Sequence, residues 1–525
     1  MKRLTRMLLA IAMCIVAAFG LFGCTTVEDS AEKLYVRIQN VGYGAKWLQD
    51  AAALYTQKTG TEVEVTPSNV LGQISTHMMS DKNNNTDLYF NATDSAGYYL
   101  NLSKGSSVIP GYDTLWVDIS DVYQEVPEGY GNNKTIAELV DGYALKTMTY
   151  EGKQYAFSWA SGTQGIIYHK DLFEENNIPI PRTTDELLEV CQLIQGKNLK
   201  TANGRTVYPF TWTMGYLRPM TLNWWFQYEG KEAFENYCEG KGIDGQYSAE
   251  GYMMQAGKLY SYQVFQELLD FDNKYVVPSA IGQSFTQNQI QFLEGEAMMM
   301  MNGDWLQREA ETNFSVDEVS IEFMPTPVIS NIVEVIKNDL HGTIDTEEKL
   351  REAITYIDKG EIGVNPYGFH EEDLAYVRQA RNSYNVAYDY HIAYIPSYSN
   401  NIDGAKDFIK FLYSKEAQEL IMKSSYGNTF VKVDLETFDT YDEMTPLLQS
   451  KNRWLKNPDA MEIGPTFYSK IYYLGGLNHY NERHENMAVS KDSATYQTAA
   501  EILQSYYNEF SPFYEGYMRA AGVSN

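Results

Sequence analysis

Positive charge is scarce in this chain: Lys and Arg number 41 against 69 Asp and Glu, for a formal net charge of −28. Nucleic acid and anionic lipid surfaces are bound through basic patches, so neither fits as a partner. Cysteine is scarce too. Of four, Cys14 and Cys24 lie near the N-terminus, which leaves Cys191 and Cys238. Cys191 shares a helical apolar face with Leu187, Val190 and Ile194, the setting of a buried free thiol; a Cys191–Cys238 bridge is the alternative. A fold that depends on a disulfide framework is excluded. Beyond the first two dozen residues no apolar run is long enough to cross a bilayer. Catalytic signatures are missing as well: there is no His-Glu-x-x-His and no Gly-x-Ser-x-Gly. His479 and His484 are five apart rather than the helical i, i+4 of paired ligands, and no Asp-x-Asp-x-Asp-Gly calcium loop occurs. The Met298–Met301 run cannot aim four thioethers at one site, because strand side chains alternate, so it reads as core. No catalytic residue, metal site or cofactor is expected. A glycosidase needs only two carboxylates, so 69 acidic residues leave a hydrolase standing as a rival.

The N-terminus carries more information. Lys2, Arg3 and Arg6 precede an uncharged apolar stretch from Met7 to Phe19, and Leu21-Phe22-Gly23-Cys24 follows. This is the order of a signal peptide, with an apolar region too short to span a bilayer. The last four residues resemble the lipobox of bacterial lipoproteins, which implies cleavage before Cys24 and lipid on it. Stable anchoring takes more than one acyl chain, and several chains on one cysteine meet that need. Residues 1–23 are then a signal peptide and 24–31 a lipid-anchored linker. The mature chain, having shed three cations, carries −31 and works outside the cytoplasm at the membrane surface. About 500 residues imply two or more core-bearing units.

Downstream, Leu34, Val36 and Ile38 alternate with Tyr35, Arg37 and Gln39, which predicts a strand. Asn40-Val41-Gly42-Tyr43-Gly44 is a glycine-rich turn. A helix follows with Leu48, Ala51, Ala52 and Tyr55 on one face and Gly60 as its stop. Strands at Glu62–Thr66 and Asp87–Phe90 continue a βαβ series, hence an α/β domain with a parallel core. Its crevice lies at the carboxyl ends of the strands, where the turns at 40–44 and 91–94 sit. Thr183-Thr184-Asp185-Glu186 is a capping box opening a helix, and Asp403–Tyr413 is amphipathic. Between 330 and 388, helices over 345–359 and 371–383 suggest a charged insertion on a loop. There is no internal repeat.

Four segments in chain order resemble the carbohydrate-binding extracellular solute-binding proteins of bacterial ABC importers, the maltodextrin binders among them. They are Gly152–Trp159 with Gly165–Phe173, Pro181–Leu187, Phe292–Met298 ending in Asn302-Gly303-Asp304-Trp305, and Tyr394–Asn401 leading into Ala405–Ala417. His169 departs from the family's Asn. The resemblance implies a two-lobed periplasmic-binding-protein-like fold, each lobe a mainly parallel sheet flanked by helices, with a ligand cleft between lobes. Carried onto this chain, lobe one is 32–156 plus 328–400, with the insertion about 330–388. Lobe two is 160–322 plus 405–525, and hinges fall near 155–159, 322–327 and 395–405. It also implies a monomer that does no chemistry, captures an oligosaccharide and delivers it to permease subunits served by a cytoplasmic ATPase. A peptide or other polar solute, or a transport-uncoupled glycan sensor, is the alternative.

The same resemblance places Asn40 and Tyr43 on a contact loop, and Asn91 and Asp94 where relatives meet sugar hydroxyls. Asp94 equally suits a helix N-cap before Ser95. Trp305 falls at a cleft position, with Asp304 beside it. Trp159, Trp212 and Trp224 are further stacking candidates, because a flat ring with a polar tip suits a sugar face. Trp224 and Trp225 point about 100° apart on a helix, so one of them belongs to the core. If Cys24 bears the anchor, Cys24→Ser is expected to move the protein from the membrane pellet to the soluble extracytoplasmic fraction. Retention of the variant in the pellet would refute the anchor.

Overall fold

The strand read from alternation forms as β1 (Leu34–Gln39), with Leu34, Val36 and Ile38 buried and Tyr35 and Arg37 half-buried. The computed structural model describes residues 33–70, 86–91, 114–140, 142–212, 217–311, 313–315, 319–360, 365–386, 391–464 and 487–523. β1 lies between β2 (Val63–Ser68) and β3 (Leu88–Asn91), parallel to both, in register Leu34↔Val63 and Val36↔Leu88. Helix α1 (Lys46–Thr59) covers them with Trp47, Leu48, Ala51, Ala52 and Tyr55, and ends where Gly60 takes φ 81°. A hairpin of β4 (Thr149–Tyr150) and β5 (Lys153–Gln154) leads into β6 (Phe157–Ser158). β12 (Ile392–Tyr394) joins β3 to β6, antiparallel to each, so the first sheet has the order β2-β1-β3-β12-β6.

The second sheet is built around β7 (Gln164–His169) and β9 (Ala297–Gly303), which are antiparallel. β8 (Tyr208–Trp212) runs parallel to β9. β10 (Ile321–Phe323) and β11 (Ser383–Asn385) pair antiparallel with β7, and β13 (Met461–Ile463) runs parallel to β11. Five of these six strands therefore point one way. All seven residues of β9 are buried, Met298–Met301 among them, as befits a strand covered on both faces. Cys191 and Cys238 are buried in the core of this half and are not joined by a disulfide.

Two assignments differ from the sequence expectation. The stretch expected to elaborate lobe one forms α4 (Ile332–Asp339), α5 (Glu347–Asp358) and α6 (Glu371–Arg381). These pack instead with α2 (Thr184–Gly196) and α3 (Leu217–Cys238) beside the second sheet. Ile336, Leu350, Ile354, Leu374 and Val377 share a core with Leu187 and Trp224. Arg351 bridges Glu189 at 2.8 Å, and Arg182 donates to Thr355 at 2.7 Å. Conversely α7 (Ile402–Leu412) and α8 (Lys415–Ser425), expected in lobe two, lie on α1, with Phe408 5.1 Å from the Tyr55 ring. An amphipathic face must be covered, but its pattern does not name the cover. The chain thus stays with the second sheet through 322–327 and with the first through 395–405. It passes between sheets at 159–163, between Val386 and His391, and after α8 on the way to α9 (Pro446–Leu455), which packs on β10.

His169 closes β7 with its ring buried, Nε2–H donating to the Phe292 carbonyl at 2.6 Å. Burial lowers its pKa to about 4. Between the ordinary value near 6.5 and about 4, the unfolded chain binds a proton that the folded chain refuses, so stability falls as pH falls. The loss approaches about 1.4 kcal/mol per pH unit in that window. His169→Asn is expected to flatten this part of the profile, read as the wild-type-minus-variant urea midpoint between pH 7 and pH 4.5. A difference independent of pH would discard His169 as the titrating group.

Candidate functional site

Open α/β sheets bind ligands beyond the carboxyl ends of their strands. In the first sheet that edge carries the 40–44 turn after β1, Asn91 at the end of β3, and Trp159 after β6. In the second it carries Trp212 at the end of β8, and Asp304 and Trp305 after β9. Positive φ at Gly42 (46°) and Gly44 (70°) folds the first turn tightly enough to meet the second edge. A Cβ at Gly42 would lie 3.7 Å from Trp305 Cβ. Gly303 has a steric role of its own: a Cβ there would come within 2.5 Å of the Trp305 ring, which folds back over it.

The two edges are fastened by a buried polar cluster. The Tyr43 hydroxyl donates to Asp304 Oδ1, and the Lys451 ammonium donates to Asp304 Oδ2. Lys451 also donates to Ser161 Oγ at 2.6 Å and to the Gly427 carbonyl at 3.3 Å. Both charged side chains are fully buried, so the three ammonium protons all find acceptors inside the protein. Burial, and then the Asp304 carboxylate, push the Tyr43 hydroxyl well above its ordinary pKa, which keeps it a donor.

Around this cluster stands an aromatic cage. The Tyr43 ring meets Trp159, Trp305 and His391 edge to face at 6.3, 6.1 and 5.7 Å. Trp159 stacks on Trp47 at 5.5 Å, and its indole N–H donates to the Asn91 carbonyl at 2.8 Å. Asn428 donates to the Trp159 carbonyl at 2.7 Å.

The structure therefore brings Tyr43, Asn91, Trp159, Asp304 and Trp305 together, and buries them. Asn40 stands three residues from Tyr43 but is exposed, donating to Asn69 at 2.8 Å. Asp94 lies outside the described residues. Trp212 is buried next to β9, opposite Met301, with its indole N–H unpartnered among the described residues. Trp224 belongs to the helical core, its indole donating to the Pro327 carbonyl at 3.1 Å. Its neighbour Trp225 is buried as well, donating to Gln255, so both of the pair are core rather than one. Sequence reasoning missed Lys451, Ser161, Trp47 and His391. Lys451 sits in an ordinary helical stretch 147 residues from its partner, and no local pattern marks it.

The two facing sheets define the two-lobed α/β fold of periplasmic sugar-binding proteins. Two solved structures share it at 15% sequence identity. One is a chitin oligosaccharide binding protein, with TM-score 0.57 over 92% of this chain and 99% of that one. The other is maltose-bound MalE3 of T. maritima, with TM-score 0.56 over 91% and 98%. The chain belongs to the bacterial extracellular solute-binding proteins, whose family profile matches residues 50–446. A stretch of 185 residues is 26% identical to the maltotriose-binding protein of Pyrococcus abyssi (strain GE5 / Orsay), covering 35% of this chain and 33% of that relative.

Removing one member of a buried ion pair strands the other charge, at a cost of about 3–5 kcal/mol. Lys451→Met is expected to lose that much in urea unfolding, and adding Asp304→Asn to recover a large part of it. Tyr43→Phe, which removes a bond to a carboxylate, is expected to cost about 1.5–3 kcal/mol. A double variant no more stable than Lys451→Met would show that the two charges do not depend on each other.

Proposed function

We propose that this chain is the substrate-binding subunit of a bacterial ABC importer, held outside the cytoplasm by lipid on Cys24. It binds a neutral oligosaccharide between its lobes and delivers it, without chemical change, to the membrane permease and its cytoplasmic ATPase as a monomer. Taken over the described residues alone, the lobes consistent with the packing fall within 33–158 with 392–430, and within 164–386 with 446–523. Ligand capture is then a hinge closure about the three connecting segments.

The observation that carries this reading is the facing of the two carboxyl edges, one bearing the Asn40–Gly44 turn and Asn91, the other Trp212 and Trp305. Rings and amides at such an edge suit sugar faces and hydroxyls. Asp304 is neutralised by Lys451 within the protein, so this part of the site offers an incoming ligand no net charge. That favours a neutral solute over an acidic or basic one. The names of the maltotriose-, maltose- and chitin-oligosaccharide-binding relatives support the same ligand class. Asp94, if it shares the edge, would accept hydroxyl protons in fixed directions.

A thermal-shift and calorimetric panel of malto- and chito-oligosaccharides, with short peptides alongside, tests the proposal. A ligand that binds only the folded state raises the melting point with the logarithm of its excess over Kd. One sugar class is expected to do so. Trp212→Phe, which keeps an aromatic face but replaces the indole and removes its N–H, unpartnered among the described residues, is expected to weaken that sugar about five- to tenfold, as the loss of one hydrogen bond of about 1 kcal/mol or more implies. Peptides alone shifting the melting point would keep the importer and discard the sugar. Consumption of the sugar would turn the reading to a hydrolase.

A further inference from the structure

We propose that the 330–388 insertion carries a divalent transition-metal site, of zinc chemistry, formed by His341, His370 and Glu372. His341 follows the end of α4, His370 caps the N-terminus of α6, and Glu372 lies in its first turn. One ligand atom from each residue lies within 4.8 Å of the others. His341 Nε2 is 2.8 Å from Glu372 Oε2, and the two imidazole rings stack with centroids 3.3 Å apart. Two imidazoles and a carboxylate around one point are a donor set suited to zinc, leaving a fourth position for water.

The backbone beneath these side chains is held independently of them. Asp373 is fully buried and accepts from His341 N–H at 3.0 Å, Thr343 N–H at 2.7 Å and the Thr343 hydroxyl at 2.5 Å. The Thr343 hydroxyl in turn accepts from His370 N–H at 2.9 Å. One carboxylate thereby clasps the 341–343 turn to the start of α6 and fixes both histidine backbones at the base, while the exposed rings are held by their contacts with each other and with Glu372. Bonds of about 2 Å to a tetrahedral ion set its ligand atoms about 3.3 Å apart, a contraction that side-chain rotation supplies. The ion would take the place of the proton between His341 Nε2 and Glu372 Oε2, releasing it to water, with the imidazole bound as its Nδ1–H tautomer. The 3.3 Å bond that His370 Nδ1 accepts from Glu372 N–H is long and is given up at small cost. Glu371, the other carboxylate at this helix start, is engaged by Arg378 at 3.3 Å. Such an ion would tie the loop after α4 to α6 on the outside of the second lobe, in the part of the chain that the interlobe cleft does not use.

Isothermal titration of the metal-free mature chain, bearing no histidine tag, with zinc chloride at pH 7.5 tests the site. One equivalent is expected to bind, at least tenfold more weakly in His341→Ala and in His370→Ala, with each variant still melting cooperatively in chelator. No saturable binding by the wild type, or unchanged binding by the double variant, would overturn the site. Cobalt(II) added to the wild type gives a check that needs no variant. Visible bands abolished by one equivalent of zinc support the site, and the spectrum of the hydrated ion alone refutes it.

Discussion

The buried contact of Asp304 with Lys451 and Tyr43 is the constraint around which the two halves of the molecule are arranged. An ammonium and a carboxylate removed from water are tolerated only when nearly every lone pair and proton is matched, since desolvation otherwise outweighs their attraction. Here the matching draws on α9, the 159–163 connection, the end of β9, the Gly427 carbonyl and the turn after β1. These segments come from both sheets and from two of the three passages between them. The geometry that keeps two charges dry is therefore also the geometry that sets one sheet against the other.

The division of labour inside the cluster bears on motion. Lys451 is on α9, which packs on β10, and Asp304 directly follows β9, so the ion pair lies wholly on the side of the second sheet. From the first, the Tyr43 hydroxyl and the Gly427 carbonyl reach it. Separating the lobes along this plane would break these two hydrogen bonds and the edge-to-face contact of Tyr43 with Trp305, each of order 1 kcal/mol, and leave the two charges paired with each other. An arrangement with the lysine on one lobe and the aspartate on the other would instead expose an uncompensated charge at every opening. The asymmetry suits a junction that must open and close reversibly.

Much of the local structure was legible in the residues. Alternation marked β1, the glycines marked the turn after it and the end of α1, and Thr183 caps α2 by accepting from Glu186 N–H at 3.2 Å. The carboxyl-edge rule led to the turns that hold Tyr43 and Asn91, and the family resemblance added Asp304 and Trp305; the fold does gather all four. What stayed hidden depends on contacts distant in sequence. The apolar stripes of α5 and α6 announce that something covers them, yet only the assembled molecule shows that α2 and α3 do so. Trp224 and Trp225 do diverge around α3, as helical geometry requires. Both are core because neighbours cover that helix on more than one side: Pro327 accepts from one indole and Gln255 from the other. Lys451 shows the limit most sharply, because a lysine in a helix reads as solvated until its partner is found.

The distribution of charge and aromatic surface argues for the kind of molecule that fits between the lobes. Acidic residues dominate the composition, but many of the described ones sit in exposed pairs such as Lys33 with Glu62 and Lys456 with Glu436, where an ion pair contributes little to stability. They keep a strongly anionic chain dispersed. At the junction the balance is reversed: rings of Tyr43, Trp47, Trp159 and Trp305 surround one internally cancelled charge pair. A strongly charged ligand entering there would lose its hydration without gaining an opposite charge. A polyhydroxylated neutral ring loses much less, because stacking and hydroxyl hydrogen bonds replace what water gave it. On the proposed reading, the same arrangement that lets the two halves part without baring a charge would also select against a charged occupant.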